Sequence, residues 1–360
     1  MEPTIPVLTL TDQDFPTNGR DHKKSPSIDK LLQKCWSDAE TRGALAYSFD
    51  RNSLREKKLP GRWGLWLHLN THRGGKLKRP AQSLSSFTQR LTNSVDQFNF
   101  NKVPVKEKLF EIKILGLDDG RRDESREDDA DKPKSLSALV LVNRCPFESY
   151  SSLLVPECHR LESQLIRPHS LLAALAVIIF SDNPTIRLGF NSLGAGASVN
   201  HGHWHVAYFQ HSTPLSWLPV DGRHLLQTWI ARTIVLPLDA TGQTLNDCLH
   251  MSQRLCQWLD WVVDELKLAY NVIILREELA GEMLSRPIRL CVWIRKPDFG
   301  TKQNFDIVAA ICELCGFFIC KSDLEFNELN ETDCLNKMAE KDIDQSTFDQ
   351  ILQKFNQTLF

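Results

Sequence analysis

No stretch of this 360-residue chain is apolar enough to cross a membrane. The longest strongly apolar run, Leu171–Phe180, falls well short of the roughly 20 residues a span needs. Neither sign of charge dominates, with 43 basic against 45 acidic side chains. Duplex binding usually shows as a basic excess or stripe, so nucleic acid is not an expected partner. The opening Met1-Glu2-Pro3-Thr4 lacks the basic residues and apolar stretch of a secretory signal. The 10 cysteines, scattered from Cys35 to Cys334, therefore read as reduced core thiols of a cytoplasmic protein. Only Cys312 and Cys315 stand in C-x-x-C spacing, without the second pair or the matched histidines of a structural zinc site. They fall in a helical pattern with Ile311 and Leu314 and are expected to pack in the core. What is present, 42% hydrophobic and 24% charged residues, is the mixture of a globular protein of one large or two ordinary domains.

Residues 1–24 are polar and rich in Asp, Thr and Pro, which predicts a flexible N-terminus. Pro26 and Ser27 open a helix with Leu31, Leu32, Cys35, Trp36 and Ala39 on one face, and Gly43 is placed to end it. Strands are expected over Trp63–Leu69, Gln97–Asn101, Lys108–Leu115, Ser137–Asn143 and Ser152–Val155, with a basic loop at His72–Pro80. Asp118–Lys134 carries no large apolar side chain and predicts a mobile surface insertion, because it buries too little to offset its ordering entropy. A helix ends in Leu171–Phe180, Asp182–Thr185 turns the chain, and strands follow at Ile186–Phe190 and His203–Phe209. The remainder partly echoes this order. Thr244 caps a helix carrying Leu245, Leu249, Leu255, Leu259, Val262 and Leu266; strands follow at Asn271–Leu275 and Ile288–Ile294; a helix opens at Asn304 and Gly316 ends it. The class expected is α+β, with antiparallel sheets flanked by helices in two related halves, residues 25–215 and 216–360. The first half would carry the chemistry and the second would complete the substrate pocket.

The strongest local signal is His201, His203 and His205, at every second position behind a loop of small residues. On a strand, alternate side chains share a face, about 6.7 Å apart. Trp204, Val206 and Tyr208 would then face a core. A neutral imidazole is a good nucleophile toward phosphorus, and its neighbours can fix its tautomer and assist it. Gly194, Gly196 and Ser198 can bring backbone N–H groups and a hydroxyl close to an anion. Donors that hold phosphoryl oxygens while a nitrogen attacks are what nucleotidyl transfer requires. Two other readings remain open on spacing alone: a His-x-His zinc site with water in the fourth position, and a histidine cluster without chemistry. The small-residue loop favours phosphate, since a metal site does not need it.

The stretch Gly189–Phe209 resembles the His-x-His-x-His motif of the histidine-triad superfamily. More narrowly, the chain resembles the GDP-L-galactose/GDP-D-glucose phosphorylase family. The likeness covers Leu69–Gly74, Lys78–Gln82, Gln97–Lys102, Asn143–Pro156, Leu188–Gly194, Ala197–His201 and Trp293–Gly300. Gly202 and Trp204 depart from the bulky apolar residues usual between the histidines, as do Tyr150-Ser151 and Ala195 from the Gly-His and glycine frequent at those places. The resemblance implies a histidine-triad-like fold and a GDP-D-glucose phosphorylase acting on GDP-glucose and inorganic phosphate, without cofactor or metal, as a monomer or homodimer. It makes His203 the nucleophile. His201 would orient it and His205 would sit by a phosphoryl oxygen. The related uridylyltransferases have glutamine at the third position, so His205 would permit some hydrolysis. Asn191, Gly194, Gly196, Ser198, Arg79, Lys102 and Asn143 are the implied nucleotide and phosphate contacts, with Arg295, Lys296 and Lys302 as weaker candidates from the second half. The alternatives are a nucleotide hydrolase of the same superfamily and a non-catalytic GDP-sugar-binding regulator.

Overall fold

The computed structural model describes residues 5–15, 27–74, 85–88, 97–117, 135–226, 228–239, 243–278, 287–299 and 309–360. In chain order the elements are β1 (Val7–Leu10), α1 (Ile28–Thr41), β2 (Arg55–Lys58), β3 (Trp66–Leu69), β4 (Lys108–Leu115), β5 (Ser135–Val142), β6 (Ser152–Pro156), α2 (Pro168–Ile179), β7 (Ile186–Asn191), β8 (Trp204–Tyr208) and α3 (Pro214–Trp217). There follow β9 (Thr233–Leu238), α4 (Leu245–Asp264), β10 (Ala269–Arg276), β11 (Ile288–Arg295), α5 (Ile311–Leu314), β12 (Phe317–Cys320), α6 (Asp323–Glu328), α7 (Glu331–Ala339) and α8 (Gln345–Leu359).

Among the described residues, nine strands form one sheet in the order β1-β4-β5-β6-β8-β7-β10-β11-β9. All its pairings are antiparallel except the edge pair β1–β4. The two halves expected from the sequence meet inside this sheet, because β7 pairs directly with β10 from Arg187↔Leu275 to Asn191↔Asn271. A second sheet, β12-β3-β2, also draws on both halves.

One face of the large sheet is covered by α1, α2, α4 and α8. Their buried residues form one cluster with Trp204, Val206 and Tyr208 of β8, so the expected core face of that strand holds. The run that was too short for a membrane is α2. It begins with Pro168 at its first turn, where the missing N–H is harmless, and Ser170–Ile178 are buried on every side. Asp29 of α1 is buried beneath it. It accepts from Ser181 Oγ, Tyr208 OH and the Asp182 N–H, each at 2.7 Å, which satisfies the carboxylate and ties α1 to β8. The capping box at Thr244 forms as expected, its hydroxyl accepting from the Asp247 N–H at 3.1 Å.

The opposite face packs on the small sheet and the shorter helices, through Ala207, Phe209, Ile273 and Trp293 below and Leu67, Phe317 and Phe318 above. Gly189 permits this approach, since a Cβ there would lie 2.5 Å from Ile311 Cδ1 of α5.

Several expectations need correction. Val7–Leu10, within the segment read as flexible, is a strand that pairs in parallel with Glu111–Ile114. Gln97–Asn101 is not a strand. Asn99 accepts from the Asn101 N–H at 3.1 Å and starts a 3₁₀ turn at Phe100–Lys102, a local bond that competes with a ladder. The strand predicted from Trp63 begins at Trp66. The row strand begins at Trp204, so His201 and His203 precede it and only His205 lies on it. Strands β2, β9 and β12 and helices α7 and α8 were not anticipated. Cys312 and Cys315 are buried and not disulfide-bonded, as expected of core residues. The predicted insertion 118–134, Arg79, Asn304 and Lys302 lie outside the described residues.

Candidate active site

His205 stands on β8 between Leu153 of β6 and Gly189 of β7. Its ring centroid is 5.3 Å from that of His203, edge to face. Phe100 packs against both other rings, 5.3 Å from His201 and 5.1 Å from His203. The motif that had suggested a strand is thus a wedge that seats two imidazoles.

The hydrogen bonds assign the tautomers. The Phe100 backbone N–H donates to His201 Nδ1 at 3.0 Å, so His201 carries its proton on Nε2. His203 Nδ1 lies 2.8 Å from the His201 carbonyl oxygen. A carbonyl only accepts, so Nδ1 carries the proton and Nε2 keeps its lone pair. Burial, above all, pushes both rings down to about 4: the charged form is poorly solvated, and for His201 the neighbouring His203 adds to the fall. The Cys158 backbone and Glu162 partly oppose it at His201, as does the His201 backbone at His203. His203 is therefore neutral at pH 7 with a lone pair on Nε2, the state that a nitrogen nucleophile needs.

The small-residue loop leaves β7 and crosses to the second half. Gly194 has φ +73°, a Cβ there would meet Pro297 Cβ at 3.0 Å, and its carbonyl accepts from the Asp298 N–H at 2.7 Å. Gly196, with φ +91°, also uses a backbone conformation that L side chains rarely adopt. Ser198 is exposed at the loop tip. Asn191 ends β7 with its Oδ1 accepting from Asn271 Nδ2 at 2.6 Å and from the Ile311 N–H at 3.2 Å. Lys102 is exposed and donates to its own loop at the Gln97 carbonyl, 2.6 Å away. Asn143 lies in the turn after β5 and accepts from the Cys145 N–H at 3.3 Å. Arg295 is buried against the Trp293 ring and donates to the Ala309 carbonyl, while Lys296 is exposed. The structure thus brings the three histidines and Phe100 together, with Asn191 and Gly194 tied to the second half. Among the described residues, no group of three or more His, Cys, Asp or Glu side chains is set to hold a metal ion.

Sequence reasoning missed Gln164. It is fully buried. Its Oε1 accepts from the His203 N–H at 2.8 Å, and its Nε2 donates to the carbonyls of His203 at 2.9 Å and Asn191 at 3.0 Å. Nothing in Glu162-Ser163-Gln164 announces a buried amide.

The fold matches the yeast Ap4A phosphorylase Apa2, solved with Ap4A, with TM-score 0.54 and 14% identity over 86% of this chain and 95% of that one. Residues 27–207 match the family described as GDPGP1-like, N-terminal domain. Human GDP-D-glucose phosphorylase 1 is 31% identical over 351 residues, 91% of this chain and 85% of the relative. The Bos taurus protein of that name is 30% identical over 87% of this chain and 79% of its own. GDP-L-galactose phosphorylase 2 of Arabidopsis thaliana is 32% identical over 59% of this chain and 48% of its own length. The chain belongs to the GDPGP1-like family of GDP-sugar phosphorylases.

Proposed function

We propose that the protein is a GDP-D-glucose phosphorylase that works through a covalent guanylyl-histidine. The observation that carries the covalent route is the His203 Nδ1 bond to the His201 carbonyl, which leaves Nε2 as the free lone pair. Nε2 attacks the α-phosphorus, an N–P bond forms, and the bond to the bridging oxygen breaks. Glucose 1-phosphate leaves with that oxygen and the electron pair. Its second ionisation falls at about pH 6, so it departs at neutral pH with little need of a proton. Inorganic phosphate then attacks the same phosphorus, the N–P bond breaks, and GDP is released. His205 stands beside His203 to donate toward a phosphoryl oxygen, and the Gly194–Ser198 backbone is the candidate phosphate cradle.

The half spanning residues 25–215 supplies the nucleophile in this reading, and residues 216–360 complete the pocket. The bonds from Asp298 to Gly194 and from Asn271 to Asn191 support that division of labour. Ten unbridged cysteines support a reducing, cytoplasmic setting. No helix among the described residues is long and apolar enough to cross a membrane. The test is a product assay with GDP-glucose, with and without phosphate. GDP and glucose 1-phosphate are expected, together with an acid-labile guanylyl adduct when phosphate is omitted. GMP released at the same rate whether or not phosphate is present would instead identify a hydrolase.

A further inference from the structure

The β7–β8 ladder stops two pairs short of the nucleophile. Its register runs from Ile186↔Tyr208 to Gly189↔His205. Two residues further on, Asn191 would oppose His203. On its other side Asn191 remains paired with Asn271 of β10, and Trp204 at the start of β8 remains paired with Leu154 of β6, so β7 holds its course and it is the segment before β8 that parts from it. The Gln164 carboxamide fills the gap. Both of its N–H donors and its oxygen are spent on the backbone groups of Asn191 and His203 that a direct ladder would otherwise join.

Gln164 is itself fixed from behind. Its backbone N–H donates to Asn200 Oδ1 at 2.9 Å, and its carbonyl accepts from the Leu193 N–H at 3.1 Å. The flanking residues extend the same strap. The Glu162 carbonyl accepts from the Gly202 N–H at 2.9 Å, and the Ile166 N–H donates to Tyr270 OH at 2.8 Å. Residues 162–166 thus grip the loop before the histidines, the histidine segment and β10 together.

We infer that Gln164 is a positioning residue for the nucleophile: its side-chain amide spaces the segment just before β8 away from the end of β7 so that the His203 backbone, and with it the ring bonded to the His201 carbonyl, is presented to the α-phosphorus. A backbone whose N–H and carbonyl are both bonded to one amide is fixed more tightly than a loop end, and misplacement of a reacting group by about 1 Å can lower a rate about 100-fold. The inference rests on the guanylyl-transfer reading above.

The test uses Gln164→Glu, which keeps the shape and exchanges both donors for an acceptor facing two carbonyls. The readout is single-turnover release of glucose 1-phosphate from GDP-glucose without phosphate, alongside steady-state kcat and KM and a GDP-binding measurement. At pH 8 the variant should lose about 10- to 100-fold in kcat, with KM and GDP affinity within about threefold of the parent. As pH falls toward 5.5 the buried carboxyl should protonate, regain one donor and recover part of the rate. Gln164→Met, which has no proton to regain, should stay low throughout. A Gln164→Glu enzyme as fast as the parent at pH 8 would overturn the inference, as would two folded variants equally slow at every pH. If Gln164→Glu fails to fold, a folded Gln164→Met with parental kcat overturns it alone, and a slow one supports it. If the parent releases no glucose 1-phosphate, it is the functional reading that fails, not the role of Gln164.

Discussion

The two depressed imidazoles make acid stability a direct probe of the site. His201 and His203 are withdrawn from water, and each falls from 6.5 to about 4. In the unfolded chain both titrate near 6.5, so between pH 6.5 and 4 the unfolded state takes up protons that the folded state refuses. Above pH 6.5 neither state binds them and stability is unaffected; below it, stability falls until the folded rings also protonate. At about 1.4 kcal/mol per pH unit, each ring accounts for roughly 3 kcal/mol. The pair gives roughly 5 kcal/mol, less than the sum, because the charge of His203 is part of what depresses His201. That is a large share of the 5–15 kcal/mol typical of a folded protein. Urea unfolding at pH 7.5, 6.5, 5.5 and 4.5 should show the parent losing roughly 4 kcal/mol more by pH 4.5 than a His201→Asn, His203→Asn double variant. Single-turnover glucose 1-phosphate release, corrected for the folded fraction, should stay within about threefold from pH 7.5 to 5.5, and phosphate titration does not enter because no phosphate is added. Parallel stability curves, or an acid limb near 6.5 in protein that remains folded, would refute the burial and the tautomer assignment together.

Other substitutions read single contacts. His203→Asn should reduce glucose 1-phosphate release at least 1,000-fold while its melting temperature stays within about 5 °C of the parent, since the ring makes one internal hydrogen bond. Phe100→Ala empties a buried ring site against His201 and His203, and should lower stability by about 3–5 kcal/mol in denaturant titration and reduce kcat as well. Gly194→Ala forces a side chain onto a left-handed backbone and toward Pro297. Calorimetry should show a loss of about 1–3 kcal/mol, with KM for GDP-glucose raised if the loop holds the nucleotide phosphates.

The elements with strong periodicity were legible in the sequence. Lys108–Leu115 is a strand over the range its alternation predicts, and the apolar run before Phe180 is a helix buried all round. The histidine row was legible as a cluster but not as geometry. Alternation placed all three rings on a strand, yet the strand begins only at Trp204, and an amide 39 residues earlier in the chain holds the His203 backbone just before it. Tertiary partners of this kind leave no local trace. Val7–Leu10 was hidden for a related reason: its pairing with β4 closes an edge of the sheet, whereas its neighbours in sequence read as loop. The tautomer of His203 depends on a backbone carbonyl, which every residue has and no pattern marks.

The direct seam between β7 and β10 has a practical consequence for anyone who would cut the gene at the boundary of the matched segment. A fragment ending near residue 207 would leave the whole flank of β7 without its neighbour, a row of bare amides and carbonyls beside apolar side chains. Such a margin recruits other chains. The excised piece should be recovered as aggregate unless residues 269–276 are supplied in trans.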